Sequence, residues 1–226
     1  MTGESHRPTA QEPASTYPAG AKIDYFDGER DRLTVFFRLF TVIPILIVLG
    51  TIVGPYGHTE FYTGTNDSWN SHTGYAMGGV SILYCPVMLM ILFRRKYPRW
   101  WFDFNFELLK FSTRVEAYFF LLTDKYPSTD EEQSVHVTLE YPDATRLNRW
   151  LPLVKWFLAI PHYIVLIVLS LVGLALLLLG WFAVLFTGKF PRGIHEFLVS
   201  LMRWSIRVAA YAFYLTTDKY PPFSFD

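Results

Sequence analysis

The sequence predicts a mainly α, integral membrane protein of two tandem repeats, each a short strand, a transmembrane hairpin and an amphipathic interfacial helix. Three observations carry this. No residue from Trp156 to Gly188 is charged, and none from Gly54 to Phe93 is Lys or Arg. The string Thr123-Asp124-Lys125-Tyr126-Pro127 returns as Thr217-Asp218-Lys219-Tyr220-Pro221. Ahead of each copy, polar residues recur at spacings of three and four: Asp103, Glu107, Lys110, Arg114 and Tyr118, then Glu196, Ser200, Arg203, Arg207 and Tyr211. That is the stripe of a helix with one wet face.

The elements follow in order. Residues 1–20 hold Pro8, Pro13 and Pro18 among Ser, Thr, Glu and Gln, which predicts a disordered cytoplasmic tail. The first repeat, 21–127, opens on a strand in which Ala21, Ile23 and Tyr25 alternate with Lys22 and Asp24. Its hairpin takes residues 36–53 and 75–93, separated by a polar outer loop at 54–74. Each arm has about the ~20 residues that cross a ~30 Å hydrocarbon core. An interfacial helix at 100–122 and a linker at 128–134 complete this half. In the second repeat, 135–226, strand 135–141 alternates Val135, Val137, Leu139 and Tyr141 with His136, Thr138 and Glu140. The second hairpin is expected at 153–170 and 172–187, and the second interfacial helix at 194–215. Preceding equivalent hairpins, the two strands are placed to pair with each other.

The halves share their punctuation. Arg38, Pro44 and Val48 sit where Lys155, Pro161 and Val165 sit in the second half. Phe93-Arg94-Arg95-Lys96-Tyr97-Pro98-Arg99 answers Phe186-Thr187-Gly188-Lys189-Phe190-Pro191-Arg192, and Arg114 to Tyr118 answers Arg207 to Tyr211. Basic residues then set the topology. A single helix through the uncharged run would leave Arg146, Arg149 and Lys155 at one end and Lys189 and Arg192 at the other. A turn near Ser170 to Gly173 puts all five on one face, with Arg30, Arg32, Arg38, Arg94, Arg95, Lys96 and Arg99. Four spans with both termini cytoplasmic follow.

Hydrophobic residues make up 51% of the chain and aromatic ones 18%, and 20 Lys and Arg balance 20 Asp and Glu. A zero net charge removes the general electrostatic case for a nucleic-acid partner. The lone Cys85 forms no internal disulfide.

The string Trp156-Phe157-Leu158-Ala159-Ile160-Pro161-His162-Tyr163, the run from Trp181 through Lys189-Phe190-Pro191-Arg192-Gly193, and Arg203-Trp204-Ser205-Ile206-Arg207-Val208 with its Thr-Asp-Lys-Tyr-Pro-Pro-Phe ending carry a resemblance. They resemble a family of uncharacterised multi-pass bacterial membrane proteins, common in actinobacteria, with a domain of unknown function in one or two copies. The resemblance covers nearly everything from Ala21 onward and is closer in the second half. In the first, Arg94-Arg95 replaces the Thr-Gly and Trp100 replaces the Gly of the turn. It implies a bacterial plasma membrane and transfers no catalytic, cofactor or ligand residue.

Two sets of residues are candidates for function. Arg94, Arg95, Lys96 and Arg99 in one turn, and Lys189 and Arg192 in the other, lie beside interfacial Trp and Tyr, which suits anionic lipid headgroups. The same charges orient a membrane protein whether or not they hold a specific lipid. His162 is an ionisable group on a predicted span, a candidate intramembrane polar site. Its counterpart is Ile45, and a neutral His bonded within the fold explains it equally. His58, Glu60, Asp67 and His72 in the outer loop match no metal-ligand spacing, and no catalytic constellation is present. No cofactor or metal is therefore assigned. Three function classes stand: a non-enzymatic scaffold or lipid-interacting protein of the inner leaflet, a small oligomeric transporter or channel, and an interfacial lipid-modifying enzyme around His195, Glu196 and Arg203. The implied partners are membrane lipids and a membrane-protein partner or second copy.

Overall fold

Alternation of small apolar and polar side chains makes two strands that pair across most of the chain. Strand β1 (Ala19–Ile23) runs antiparallel to β4 (Val135–Leu139), with Ala19 opposite Leu139, Ala21 opposite Val137 and Ile23 opposite Val135. A lone two-stranded ribbon is marginal in water. Here two amphipathic helices cover it: α3 (Arg99–Phe119) packs on β4, and α6 (Arg192–Ala212) packs on β1. All six inward-facing strand residues are buried, while Lys22, His136, Thr138 and Glu140 face out. The computed structural model describes residues 17–28, 30–53, 58–63, 70–75, 79–129, 131 and 133–225.

The remaining elements are α1 (Arg32–Val53), a hairpin of β2 (His58–Thr63) and β3 (Asn70–Tyr75), α2 (Gly79–Leu89) continuing into a π-turn at Met90–Arg94, α4 (Pro152–Leu158) and α5 (Ile160–Thr187). The chain is mainly helical. A proline removes an i−4 hydrogen bond and its ring crowds that carbonyl. Pro44 therefore accounts for the 43° bend of α1 between Arg38 and Phe40, and Pro161 for the break at Ala159 between α4 and α5.

Several expectations are corrected. The second hairpin does not exist as a hairpin, because the backbone stays helical through Ser170 and Gly173. A single Gly costs a helix only about 1 kcal/mol, too little to break so Leu-rich a run. Gly173 instead admits a neighbour: a Cβ there would lie 3.2 Å from Leu201 and 3.4 Å from Leu198 of α6. The outer loop 54–74 contains the β2–β3 hairpin, described by its backbone. Within the tail 1–20, Tyr17 is packed in place, its buried ring donating its hydroxyl to the Lys219 carbonyl at 3.0 Å; residues 1–16 lie outside the described ones. Within the linker 128–134, Gln133 is buried and bonds the Tyr126 carbonyl at 2.7 Å.

Amphipathic helices are found where the two interfacial helices were expected, at Arg99–Phe119 and Arg192–Ala212 instead of 100–122 and 194–215. Their apolar faces are filled by the chain itself. Leu198, Val199, Met202 and Ile206 of α6, with Phe102 and Leu109 of α3, belong to one core with the sheet. Trp100 and Phe104 of α3 are exposed, but more of the uncovered apolar surface lies on other helices: Phe36, Phe37, Phe40 and Ile47 of α1, and Ile164, Ile167, Leu171, Leu178 and Leu179 of α5 are exposed. By length and composition α5 is able to cross a membrane, and 17% of its most apolar stretch is buried.

Candidate functional site

The motif repeated at 123–127 and 217–221 is a docking point for a cation. Just past the end of α3 Leu121 is held at φ 60°, and just past the end of α6 Leu215 is held at φ 54°, a left-handed backbone uncommon outside Gly. Each reversal swings the Thr-Asp pair back toward an apolar helix. Lys155, fully buried, donates Nζ to the Thr217 carbonyl at 2.8 Å and lies 2.7 Å from the Asp218 carboxylate. Arg38, also buried, donates to the Thr123 carbonyl at 3.1 Å and pairs with Asp124, which Arg30 approaches at 3.4 Å. Arg38 stacks on Tyr118 at 4.5 Å and Lys155 lies 5.2 Å from the Tyr211 ring. Asp124 and Asp218 thus hold α1 and α4 to the ends of α3 and α6.

The basic turns divide into engaged and unengaged charges. Arg99 pairs with Asp103 at 3.1 Å and lies 4.7 Å over the Tyr141 ring; Arg192 lies 4.9 Å over the Tyr25 ring. Tyr141 donates its hydroxyl to the Tyr97 carbonyl, and Tyr25 donates to the Phe190 carbonyl at 2.6 Å. The second residue after each of β1 and β4 thus secures the turn ahead of a helix in the other half. Arg94, Arg95, Lys96 and Lys189 are exposed and form no ion pair among the described residues.

Arg94, Arg95 and Lys96 line an open cleft of about 650 Å³ together with Tyr141, Pro142 and Asp143. The turn leaves the π-turn of α2 through Arg95, whose φ of 48° and ψ of 41° are left-handed; the counterpart in the other turn is Gly188, at φ 76°. Beside the cleft lies a hollow of about 250 Å³ lined only by apolar residues, among them Val87, Met90, Trp100 and Trp101.

His162 is sealed inside the protein. Its Nδ1 accepts from Trp204 Nε1 at 3.2 Å and its ring stacks on Phe223 at 3.9 Å, so it anchors the C-terminal segment. His195 and Glu196 are not brought together: His195 is buried against Tyr25, while Glu196 is exposed. Burial and the nearby Arg30 guanidinium push His195 down to about 4. Arg203 bonds the Ala21 carbonyl at 3.0 Å. His58, Glu60 and His72 fall on β2 and β3, and Asp67 lies outside the described residues. Among the described residues no cluster of three His, Cys, Asp or Glu is placed to hold a metal.

Residues 150–224 match a family described as a domain of unknown function, DUF4389. No curated protein and no solved structure matches the chain. The DUF4389 segment holds α5, α6, Lys155, His162 and Asp218, so its boundaries enclose one cation–motif junction and end on the residues that cover His162.

The sequence-based candidates missed Arg38, Lys155, Asp124 and Asp218 as interacting groups. The signal was present: cations matched by position and a motif repeated. A charge on an apolar helix needs a partner, and the repeated Asp supplies it.

Proposed function

We propose that the chain is a monotopic, non-enzymatic membrane protein of two related units, whose apolar helices lie in one leaflet while the sheet and its amphipathic helices form a surface scaffold. The observation that carries this is α5. Its outward face is exposed and apolar, yet both ends are tied to the same polar body. At one end Lys155 meets Thr217 and Asp218, and Tyr220 donates to the Leu158 carbonyl at 3.2 Å. At the other, Arg30 N donates to the Gly188 carbonyl at 2.9 Å. Between them α6 runs alongside, touching α5 at Gly173 and His162.

A 28-residue helix is ~42 Å long and would clear a ~30 Å core. Crossing would drag α6 and the charged outer face of the sheet into hydrocarbon with it, at ~2.5–3.5 kcal/mol for each charge at mid-depth. An in-plane helix avoids that, and it keeps Arg146, Arg149, Lys155, Lys189 and Arg192 on one side of the membrane without a turn. The inner side of α5, which in a free interfacial helix would be polar, is covered by α6. Four spans would need the reversal that Ser170 to Gly173 do not make. The two-unit reading is supported by the matched junctions, by the left-handed pairs Leu121 with Leu215 and Arg95 with Gly188, and by a strand register centred on Ala21 and Val137. The scaffold role rests on the junctions being structural. A bacterial plasma membrane, its inner leaflet and a protein partner or second copy belong to the same proposal.

Labelling tests the topology. In a Cys85→Ser background, Leu153→Cys in α4, ahead of α5, and Phe186→Cys in the last turn of α5 are both at exposed positions. A membrane-impermeant maleimide is expected to label both from the same face of sealed vesicles, and the protein to resist alkaline carbonate extraction. Labelling from opposite faces would establish a crossing helix, and release by carbonate would remove the membrane reading.

A further inference from the structure

We propose that the cleft beside the first basic turn binds one anionic phospholipid, with its phosphate held by Arg94, Arg95 and Lys96 and one acyl chain in the hollow against Trp100 and Trp101. This rests on the membrane reading and names the ligand class of that surface. The three cations are consecutive and exposed, with no ion pair among the described residues. The one carboxylate on the rim, Asp143, is already engaged by Thr145 N at 3.0 Å, Thr145 Oγ1 at 2.6 Å and Arg146 at 3.2 Å. A free phosphate would need only this mouth. The apolar hollow shares Met90, Pro98 and Trp100 with the cleft, so the two form one continuous amphiphilic groove at the end of an apolar helix. Charge and apolar length in that order match a membrane phospholipid.

The second turn is an internal comparison. There Thr187 and Gly188 stand in place of Arg94 and Arg95, and Gly193 in place of Trp100, with nothing within 4 Å of where its Cβ would be. The Gly188 carbonyl is taken by Arg30 N, and Arg32 lies 3.8 Å from where a Cβ would stand. The chain itself occupies that turn. The first turn keeps its extra charges although Arg95 must hold a left-handed backbone that Gly would adopt without cost, and strain of this kind gathers at ligand sites. Its π-turn fits the same pattern.

The experiment uses the full chain in a neutral detergent, with native mass spectrometry counting bound phosphatidylglycerol against phosphatidylcholine. One phosphatidylglycerol is expected per chain, with phosphatidylcholine binding weaker by about tenfold. Arg95→Gly, which places the residue of the second turn in the first, is expected to keep or raise the unfolding temperature while lowering phosphatidylglycerol affinity about tenfold. Trp100→Gly should weaken the lipid without creating affinity for inorganic phosphate. Lys189→Gln with Arg192→Gln removes two charges from the other turn, against one in Arg95→Gly, and should still leave affinity within about twofold.

Equal loss from both turns would reduce the effect to general surface charge and overturn the site. Full competition by inorganic phosphate, with Trp100→Gly silent, would leave a bare anion site and overturn the lipid assignment. The membrane reading fails separately: carbonate release of the wild type removes it, whereas a carbonate-resistant protein that retains no phosphatidylglycerol sinks this proposal alone.

Discussion

Lys155 has no exposed atom to speak of, and its charge is answered from one side by Asp218 and the Thr217 carbonyl. Removing one member of a buried pair strands the other, which typically costs about 3–5 kcal/mol, whereas replacing both with apolar groups is often neutral. Asp218→Asn is therefore expected to lower the unfolding temperature in detergent sharply. The double variant Lys155→Met with Asp218→Leu should recover most of the loss, and additive losses would show that the pair is not the junction. His195 gives a second expectation. Its value of about 4 lies below the ordinary 6.5, so between those pH values the unfolded chain binds the extra proton. Stability then falls as pH drops from about 6.5 to about 4, by at most roughly 3 kcal/mol. Measured by thermal unfolding, the stability advantage of the wild type over His195→Gln should shrink across that window; a constant gap would show that His195 does not titrate as described. At this scale the sequence showed which residues were charged and repeated. It could not show which cation meets which acid, because those contacts depend on the left-handed turns at Leu121 and Leu215, positions that no glycine announces.

Among the elements, α3 and α6 were legible almost to their ends because a polar stripe at helical spacing has no other good explanation. Strands β1 and β4 were legible for the same reason at a period of two, and they do pair, whereas β2 and β3 were not legible. Helix α5 was misjudged. Its length and charge placement argued for a turn only because spanning was assumed, and once a helix lies along a surface the same charges stop arguing for one. Close packing within this element gives an expectation. A Cβ on Gly180 would lie 2.5 Å from the Phe190 ring, which is buried under Arg30 and held at its carbonyl by Tyr25. Gly180→Val should destabilise by about 1–3 kcal/mol as overpacking does, and Gly193→Ala, with open space around it, should change stability by less than ~1 kcal/mol. Equal effects in thermal unfolding would mean that Phe190 swings aside freely.

At the scale of the molecule, the apolar content of the sequence suggested a membrane, but not which helices carry the exposed apolar surface. That depends on which faces the sheet takes for itself, a tertiary fact. The amphipathic helices turned most of their apolar faces to the core, and the more apolar helices were left with theirs largely outside. The strand pair that made this choice also sets a schedule for biosynthesis. Strand β1 leaves the ribosome before α1, α2 and α3, yet its partner ends only at Leu139, after all three have been made. Contacts so distant along the chain form late. The first half must therefore hold its exposed apolar helices without a finished core until the second arrives, so a nascent chain stalled between Phe119 and Val135 is the form most exposed to aggregation and most dependent on a membrane or chaperone already at hand.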